Sequence, residues 1–144
     1  MSKIIVSACL LGCECRYKGD CCKNEAVLAL AEEHTLIAVC PEQMGGLPTP
    51  RDPAERVGDR VITVNGKDVT EEYTKGAEAA LLLAKLNRAD AAIMKANSPS
   101  CGKGVIYDGT FTGAKRQGNG VTAELFADNG IPVFTEDELH MFSV

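Results

Sequence analysis

Apolar positions in this chain fall into short continuous runs and spaced stripes that alternate along its length. Lys3-Ile4-Ile5-Val6-Ser7-Ala8 is a brief β-branched run stopped by Gly12, the pattern of a strand buried on both faces. Asn24 offers a cap to a helix carrying Ala26, Val27, Leu28, Leu30 and Ala31. Thr35-Leu36-Ile37-Ala38-Val39 predicts a second strand, which ends at Cys40-Pro41. From Gly45 to Pro53 there is too much Gly and Pro for regular structure. Arg60-Val61-Ile62-Thr63-Val64 followed by Asn65-Gly66 predicts a hairpin, because Asn-Gly accepts the positive φ of a tight turn.

Asp68 or Thr70 is expected to cap the longest helix, whose apolar stripe is Tyr73, Ala77, Ala80, Leu81 and Ala84. Ala89 to Lys95 predicts a third strand, and Val105 to Thr112 a second hairpin around Asp108-Gly109. A helix from Val121 to about Asp128 opens at Asn119 or Gly120 and closes at Asn129-Gly130. Ile131 to Phe134 reads as an edge strand, because Pro132 cannot donate to a ladder. Thr135 and Glu138 form a capping box for a C-terminal helix. Strands separated by helices need crossover connections, so the predicted class is α/β. The expectation is a single three-layer Rossmann-like domain over residues 1–144, with a mostly parallel sheet of about four strands plus one or two β-hairpins.

Composition narrows the function. Hydrophobic residues make up 45% of 144 positions and charged ones 24%, the balance of a soluble globular protein. Lys and Arg number 15 against 20 Asp and Glu, for a net charge of -5, which speaks against a nucleic-acid polymer or an anionic membrane as partner. A small anionic substrate needs only a few local donors and stays compatible. Val6-Ser7-Ala8-Cys9 looks like a lipoprotein cleavage box, but Met1 to Ile5 is far shorter than the roughly 7–15 apolar residues a signal requires. The protein is therefore expected in the cytoplasm, where thiols stay reduced and clustered cysteines favour metal binding or catalysis. Its oligomeric state is not written in the sequence.

Five of the seven cysteines crowd into "SACLLGCECRYKGDCC", yet the informative set is dispersed. Cys9, Cys40 and Cys101 each stand at, or a short loop beyond, the carboxyl end of a predicted parallel strand. Such ends line one edge of an α/β sheet, where ligands bind. Three converging thiolates suit a zinc ion with one open position, or a [4Fe-4S] cluster with one iron lacking a protein ligand. Any one of them alone reads better as a small buried hydrophobe; three at one edge point to a site. Cys13, Cys21 and Cys22 match no common ligand spacing and read as incidental. Cys15 stays open among fourth ligand, persulfide-carrying thiol and buried structural residue.

"SACLLGCECRYKG", "CPEQMGGLPTPR", "KANSPSCGKG" and "KRQGNGVTAEL" occur in that order, and together they resemble the bacterial thiouracil desulfurase family, formerly a domain of unknown function. The likeness runs from about Lys3 to the C-terminal helix. It implies a [4Fe-4S] cluster held by Cys9, Cys40 and Cys101, and removal of sulfur from 2-thiouracil without net redox change. It further implies that the open iron takes the substrate sulfur while water attacks the ring carbon. Cys13, Cys21 and Cys22 lie outside the family pattern, and Lys18 stands where a small or acidic residue is expected.

Exchanging C=S for C=O requires a base for water and a donor for the ring. Glu42, two residues after Cys40, is the candidate base; its alternative role is to accept the amides of the Gly45-Gly46 loop. Ser98 and Ser100 offer hydroxyls beside Cys101 and serve equally as turn caps. Arg16 and Arg51 are candidates for a substrate carbonyl or phosphate, or else solvated surface charges or parts of a salt bridge. Gly118-Asn119-Gly120 offers free amides to an anion, or simply starts a helix. His34 and His140 read as surface residues. The chain thus reads as an iron–sulfur-dependent desulfurase of a thiolated small molecule, most plausibly a thionucleobase. The rival readings are a non-catalytic zinc or iron–sulfur binding or sensing module, and a persulfide carrier using Cys15 or Cys101.

Overall fold

The structure is a computed structural model and describes residues 1–141. In chain order the first elements are β1 (Lys3–Ser7), a 3-10 turn over Ala8–Leu11, α1 (Glu25–Ala29) and β2 (Thr35–Val39). Then follow α2 (Pro41–Met44), β3 (Ala54–Val57), β4 (Arg60–Thr63), α3 (Thr70–Leu86) and β5 (Ala91–Met94). The last are β6 (Val105–Tyr107), β7 (Lys115–Gln117), α4 (Val121–Asp128), β8 (Val133–Thr135) and a 3-10 segment Glu136–Met141.

β1, β2, β5 and β8 make one parallel sheet in the order β2-β1-β5-β8, and two antiparallel hairpins, β3-β4 and β6-β7, stand beside it. The expected α/β architecture is present, with β8 at an edge as Pro132 requires. Alternation along the central strands serves both faces. Ile5, Ala92 and Met94 pack with Ala80, Ala84 and Phe126 of α3 and α4, while Ile4, Val6 and Ile93 pack with Leu10 and Val27 on the other side. Phe126, Ile4, Ile5 and Ile93 are fully buried, and each such side chain contributes roughly 1.5–3 kcal/mol by leaving water. This double-sided core holds the carboxyl ends of β1, β2 and β5 in fixed relation.

Local chemistry explains the element ends, and in places corrects the expectation. The Asn24 side chain accepts from Val27 N at 3.1 Å, as a cap for α1 should. Neither Asp68 nor Thr70 caps α3. Asp68 Oδ1 accepts from Thr70 N at 2.9 Å, and Thr70 Oγ1 accepts from Val61 N at 2.8 Å, so Val69 holds the cap position. Both side chains are drawn into tying the helix to β4. Glu138 accepts from Thr135 N at 3.0 Å, but the segment beyond is 3-10 and not an α-helix.

Both hairpins form with different turns from those expected. β4 pairs with β3, which lies N-terminal to it, around Gly58-Asp59. Asn65-Gly66 makes a turn that leads back only to a single bridge between Ile62 and Asp68. In the second hairpin Asp108-Gly109 opens a long loop, and the partner strand begins only at Lys115.

Residues 45–53 are irregular, as their Gly and Pro content predicts, but α2 just before them was not expected. It seats backbone against backbone on α3. A Cβ at Gly45 would stand 1.9 Å from Glu72 O, and one at Gly76 only 1.8 Å from Pro41 O. Two glycines on facing elements therefore let α2 sit at a distance no side chain permits. Contrary to expectation His34 is buried at 7% exposure, its Nδ1 accepting from Ser2 N at 3.0 Å. Among the described residues no helix is long and apolar enough to cross a membrane.

Candidate metal and active site

Each of the three predicted thiols leaves the end of a sheet strand. β1 runs directly into the 3-10 turn that carries Cys9; β2 delivers Cys40 as the cap residue of α2. β5 continues through Asn97, held at φ 68°, to the tight turn bearing Cys101. Cys9, Cys40 and Cys101 line one cavity of about 440 Å³, together with Ser7, Glu42 and Ser98. Cys9 and Cys101 are buried and Cys40 is half-buried.

Cys15 joins them. It is buried, lines the same cavity, and its thiol is in hydrogen-bond contact with the thiols of both Cys40 and Cys9. Its carbonyl oxygen accepts from Cys40 Sγ at 3.8 Å. Cys13 is exposed, and neither it, Cys21 nor Cys22 is in the cavity wall. The thiols of Cys15, Cys40 and Cys101 are held protonated. The hydrogen bond with Cys15 and then burial raise Cys40, and burial pushes Cys101 up to about 12. At Cys15 the hydrogen bond with Cys40 acts downward, but the bond with Cys9 and burial prevail and bring it to about 11. Binding of a cationic centre must therefore expel protons, since thiolate is the ligand.

Among the described residues no three His, Cys, Asp or Glu side chains are grouped so that they could hold a single metal ion. Three strand-end thiols around one shared cavity are the donor set that a [4Fe-4S] cluster with one iron lacking a protein ligand requires.

Glu42 stands on the first turn of α2 and faces this cavity, but not alone. Arg51 Nε and an NH2 nitrogen both donate to Glu42 Oε2, at 3.0 and 2.5 Å. The same guanidinium donates to Cys15 O at 3.0 Å, Thr49 Oγ1 at 3.0 Å and Pro48 O at 3.2 Å. Burial works against the Arg51 charge; the Glu42 carboxylate outweighs it and raises the guanidinium pKa further. Of the two roles considered for Arg51 the structure has the salt bridge: its guanidinium is taken up by protein acceptors and braces Glu42 against the Cys15 loop.

Other candidates separate. Ser98 lines the cavity while its Oγ accepts from Ser100 N and Cys101 N at 3.1 and 3.0 Å, which shapes the Cys101 turn. Ser100 is fully buried against α4, its Oγ 2.9 Å from Thr122 Oγ1, and lies outside the cavity wall. Arg16 is on the cavity rim, paired with Asp20 at 3.3 Å.

Gly118, Asn119 and Gly120 are not at this site. Gly118 N donates to Gly104 O at 3.1 Å and Gly120 N to Gly102 O at 2.7 Å, so these amides are not free for an anion. Asn119 Oδ1 accepts from Gly104 N at 2.7 Å. The segment fastens the Cys101 loop to α4.

Cavity residues that sequence reasoning missed are Tyr17, Tyr73, Lys95, Tyr107 and Phe111. Lys95 had a signal: it is the first polar residue after the apolar run of β5. Burial works against its ammonium, but the pairing with Glu136 at 2.9 Å prevails and raises its pKa. Tyr73 had none, because it fits the apolar stripe of α3. It is 3% exposed, and burial holds its phenol well above the ordinary range.

A family model described as 2-thiouracil desulfurase matches residues 4–138. The chain belongs to the 2-thiouracil desulfurase family. Similarity to individual members spans almost the whole chain. The uncharacterized protein YbbK of Bacillus subtilis (strain 168) is 46% identical over 95% of this chain and 97% of its own length. A solved structure of the [4Fe-4S]-dependent thiouracil desulfidase TudS superposes with a TM-score of 0.93. It is 48% identical, over 98% of this chain and 95% of that one. In this desulfurase-family chain, Cys9, Cys40 and Cys101 are thus three strand-end thiols around one cavity, with Glu42 on its wall.

Proposed function

We propose that this chain desulfurates a thiouracil-type base, exchanging C=S for C=O with water and releasing hydrogen sulfide. What carries the reading is the meeting of Cys9, Cys40 and Cys101 on a cavity that also holds Glu42, in a chain 48% identical to a thiouracil desulfidase. Cys9, Cys40 and Cys101 are the residues that would hold a [4Fe-4S] cluster. With three protein thiolates such a cluster supplies one iron as a Lewis acid for soft sulfur.

The chain's own groups supply the rest. Arg51 holds Glu42 by Oε2, which leaves the other carboxylate oxygen to take a proton from water as it attacks the ring carbon. The Ser98 hydroxyl accepts two backbone amides and keeps its own proton to donate to the ring during attack. Lys95 places a cation on the same wall, where it offsets the charge of the ligand thiolates. Water contributes one oxygen to the product, both its protons leave with the sulfur, and no electrons are transferred. Arg16, which also lines the cavity, serves in this reading to bind a polar edge of the base.

Anaerobically reconstituted protein should release sulfide from 2-thiouracil and form uracil. Glu42→Gln should keep its iron and inorganic sulfide yet lose about 100-fold or more in kcat. An unchanged kcat in a fully loaded variant would remove Glu42 from the mechanism.

A further inference from the structure

The outer wall of the cavity contains a feature the desulfuration chemistry does not use. Glu55, on β3, is 9% exposed, and the partners of its Oε1 are backbone amides of a distant loop. That oxygen accepts from Gly109 N at 2.9 Å and from Phe111 N at 3.2 Å. A buried acceptor shared by two amides fixes a loop firmly, because leaving such a group unpaired is costly. What it fixes is unusual. Phe111 sits at φ 58°, in the left-handed region that a bulky residue occupies only under strain. Its ring is half-buried and lines the cavity that holds the three thiols, with Tyr17 and Tyr107 as further aromatic lining. A loop tip strained in this way, gripped by an internal carboxylate and carrying an aromatic ring into a cavity wall, has no account in core packing. Phe111 belongs to none of the hydrophobic clusters.

We propose that Phe111, set in place by Glu55, is a specificity-determining residue that stacks on the face of a planar, unsaturated heterocyclic thiocarbonyl. The proposal rests on the desulfurase reading and narrows it. The site selects the flat ring itself, so acyclic thioamides and thioureas lose this contact. Glu55 is a positioning residue that acts through Phe111. Stacking a base on an aromatic side chain is worth about 1–3 kcal/mol, which corresponds to roughly 5- to 150-fold in affinity.

The test measures binding and turnover separately on the cluster-loaded protein. Calorimetry gives Kd for 2-thiouracil and for uracil; sulfide release gives kcat and KM for 2-thiouracil and for thiourea. Phe111→Leu keeps apolar bulk, Phe111→Asn suits the left-handed backbone, and Phe111→Tyr keeps a ring. Leu and Asn should each weaken both bases about 5- to 150-fold, with KM rising in step and kcat nearly unchanged. Tyr should bind like the parent, and values for thiourea should not move. Glu55→Ala should raise KM by less and add nothing once Phe111→Leu is present, whereas Glu55→Gln, which keeps a carbonyl acceptor, should restore most of the affinity. Parent-like affinity in both the Leu and Asn variants, or equal losses for thiourea and thiouracil, overturns the proposal. If the parent protein binds the bases in a Phe111-dependent way but releases no sulfide, the desulfurase reading fails and the stacking wall stands. If the parent binds neither base, both fail.

Discussion

Cys9 and Cys101 follow sheet strands buried on both faces, and Cys40 the half-exposed β2 beside them, whereas the cavity's outer wall hangs from hairpin strands of three and four residues. β1 and β5 are buried almost throughout, while β7 is exposed along its whole length. Two designs are at work in one cavity. At the sheet edge, a core common to several strands fixes the thiols, so their relative positions cost little beyond what folding itself requires. Each hairpin anchors in the core by little more than one fully buried residue, Val61 or Ile106, and polar links add position: Glu55 to the Phe111 loop, and Arg56 to Asn119 O at 2.7 Å and to Glu124 at 2.8 Å. The chemistry occupies the rigid side and the choice of substrate the side held by polar links, which can change without endangering the centre.

This contrast can be broken. Cys101→Ala removes one thiol from the rigid side, and the expected result is complete loss of bound iron, of visible absorption and of sulfide release. The far-ultraviolet dichroism of the fold should survive. A variant that still binds a full complement of iron would detach Cys101 from the centre. Arg51→Gln should come next in size. It strands Glu42 in a half-dry wall and takes one donor each from Cys15 O and Thr49, so urea denaturation should report a loss of about 3 kcal/mol. Turnover should fall with it, because the carboxylate loses its brace. The smallest effect belongs to the hairpin side. Arg56→Met loosens β3 from α4, and KM should rise a few-fold while kcat and iron content hold. A fall in kcat equal to that of Glu42→Gln would show that the hairpins serve the chemistry as well.

Much of the sheet was legible because its signals are local. Ile4-Ile5-Val6 and Ala91 to Met94 are apolar on both faces, and only a doubly covered parallel strand uses such a run. Once these were strands, the crossover rule placed Cys9, Cys40 and Cys101 on one edge. Hidden features depended on partners remote in the chain. Asp68 and Thr70 look like helix caps until β4 brings the Arg60 guanidinium to one and the Val61 amide to the other. Arg51 looks like a free cation until Glu42 and Cys15 O turn out to surround it. Gly118, Asn119 and Gly120 look like an anion loop until the carbonyls of Gly102 and Gly104 take two of its amides.

From the order and spacing of its residues alone, this protein is committed to an α/β sheet with three thiols at its carboxyl edge, because strand pattern and chain crossover are short-range and nearly unconditional. Only the folded chain decides which polar side chains remain available, because each donor or acceptor pairs with whatever the tertiary contacts bring within about 3 Å. That is why the cysteines could be found by reading, while the bracing of Glu42 by Arg51 and the grip of Glu55 on Phe111 could not.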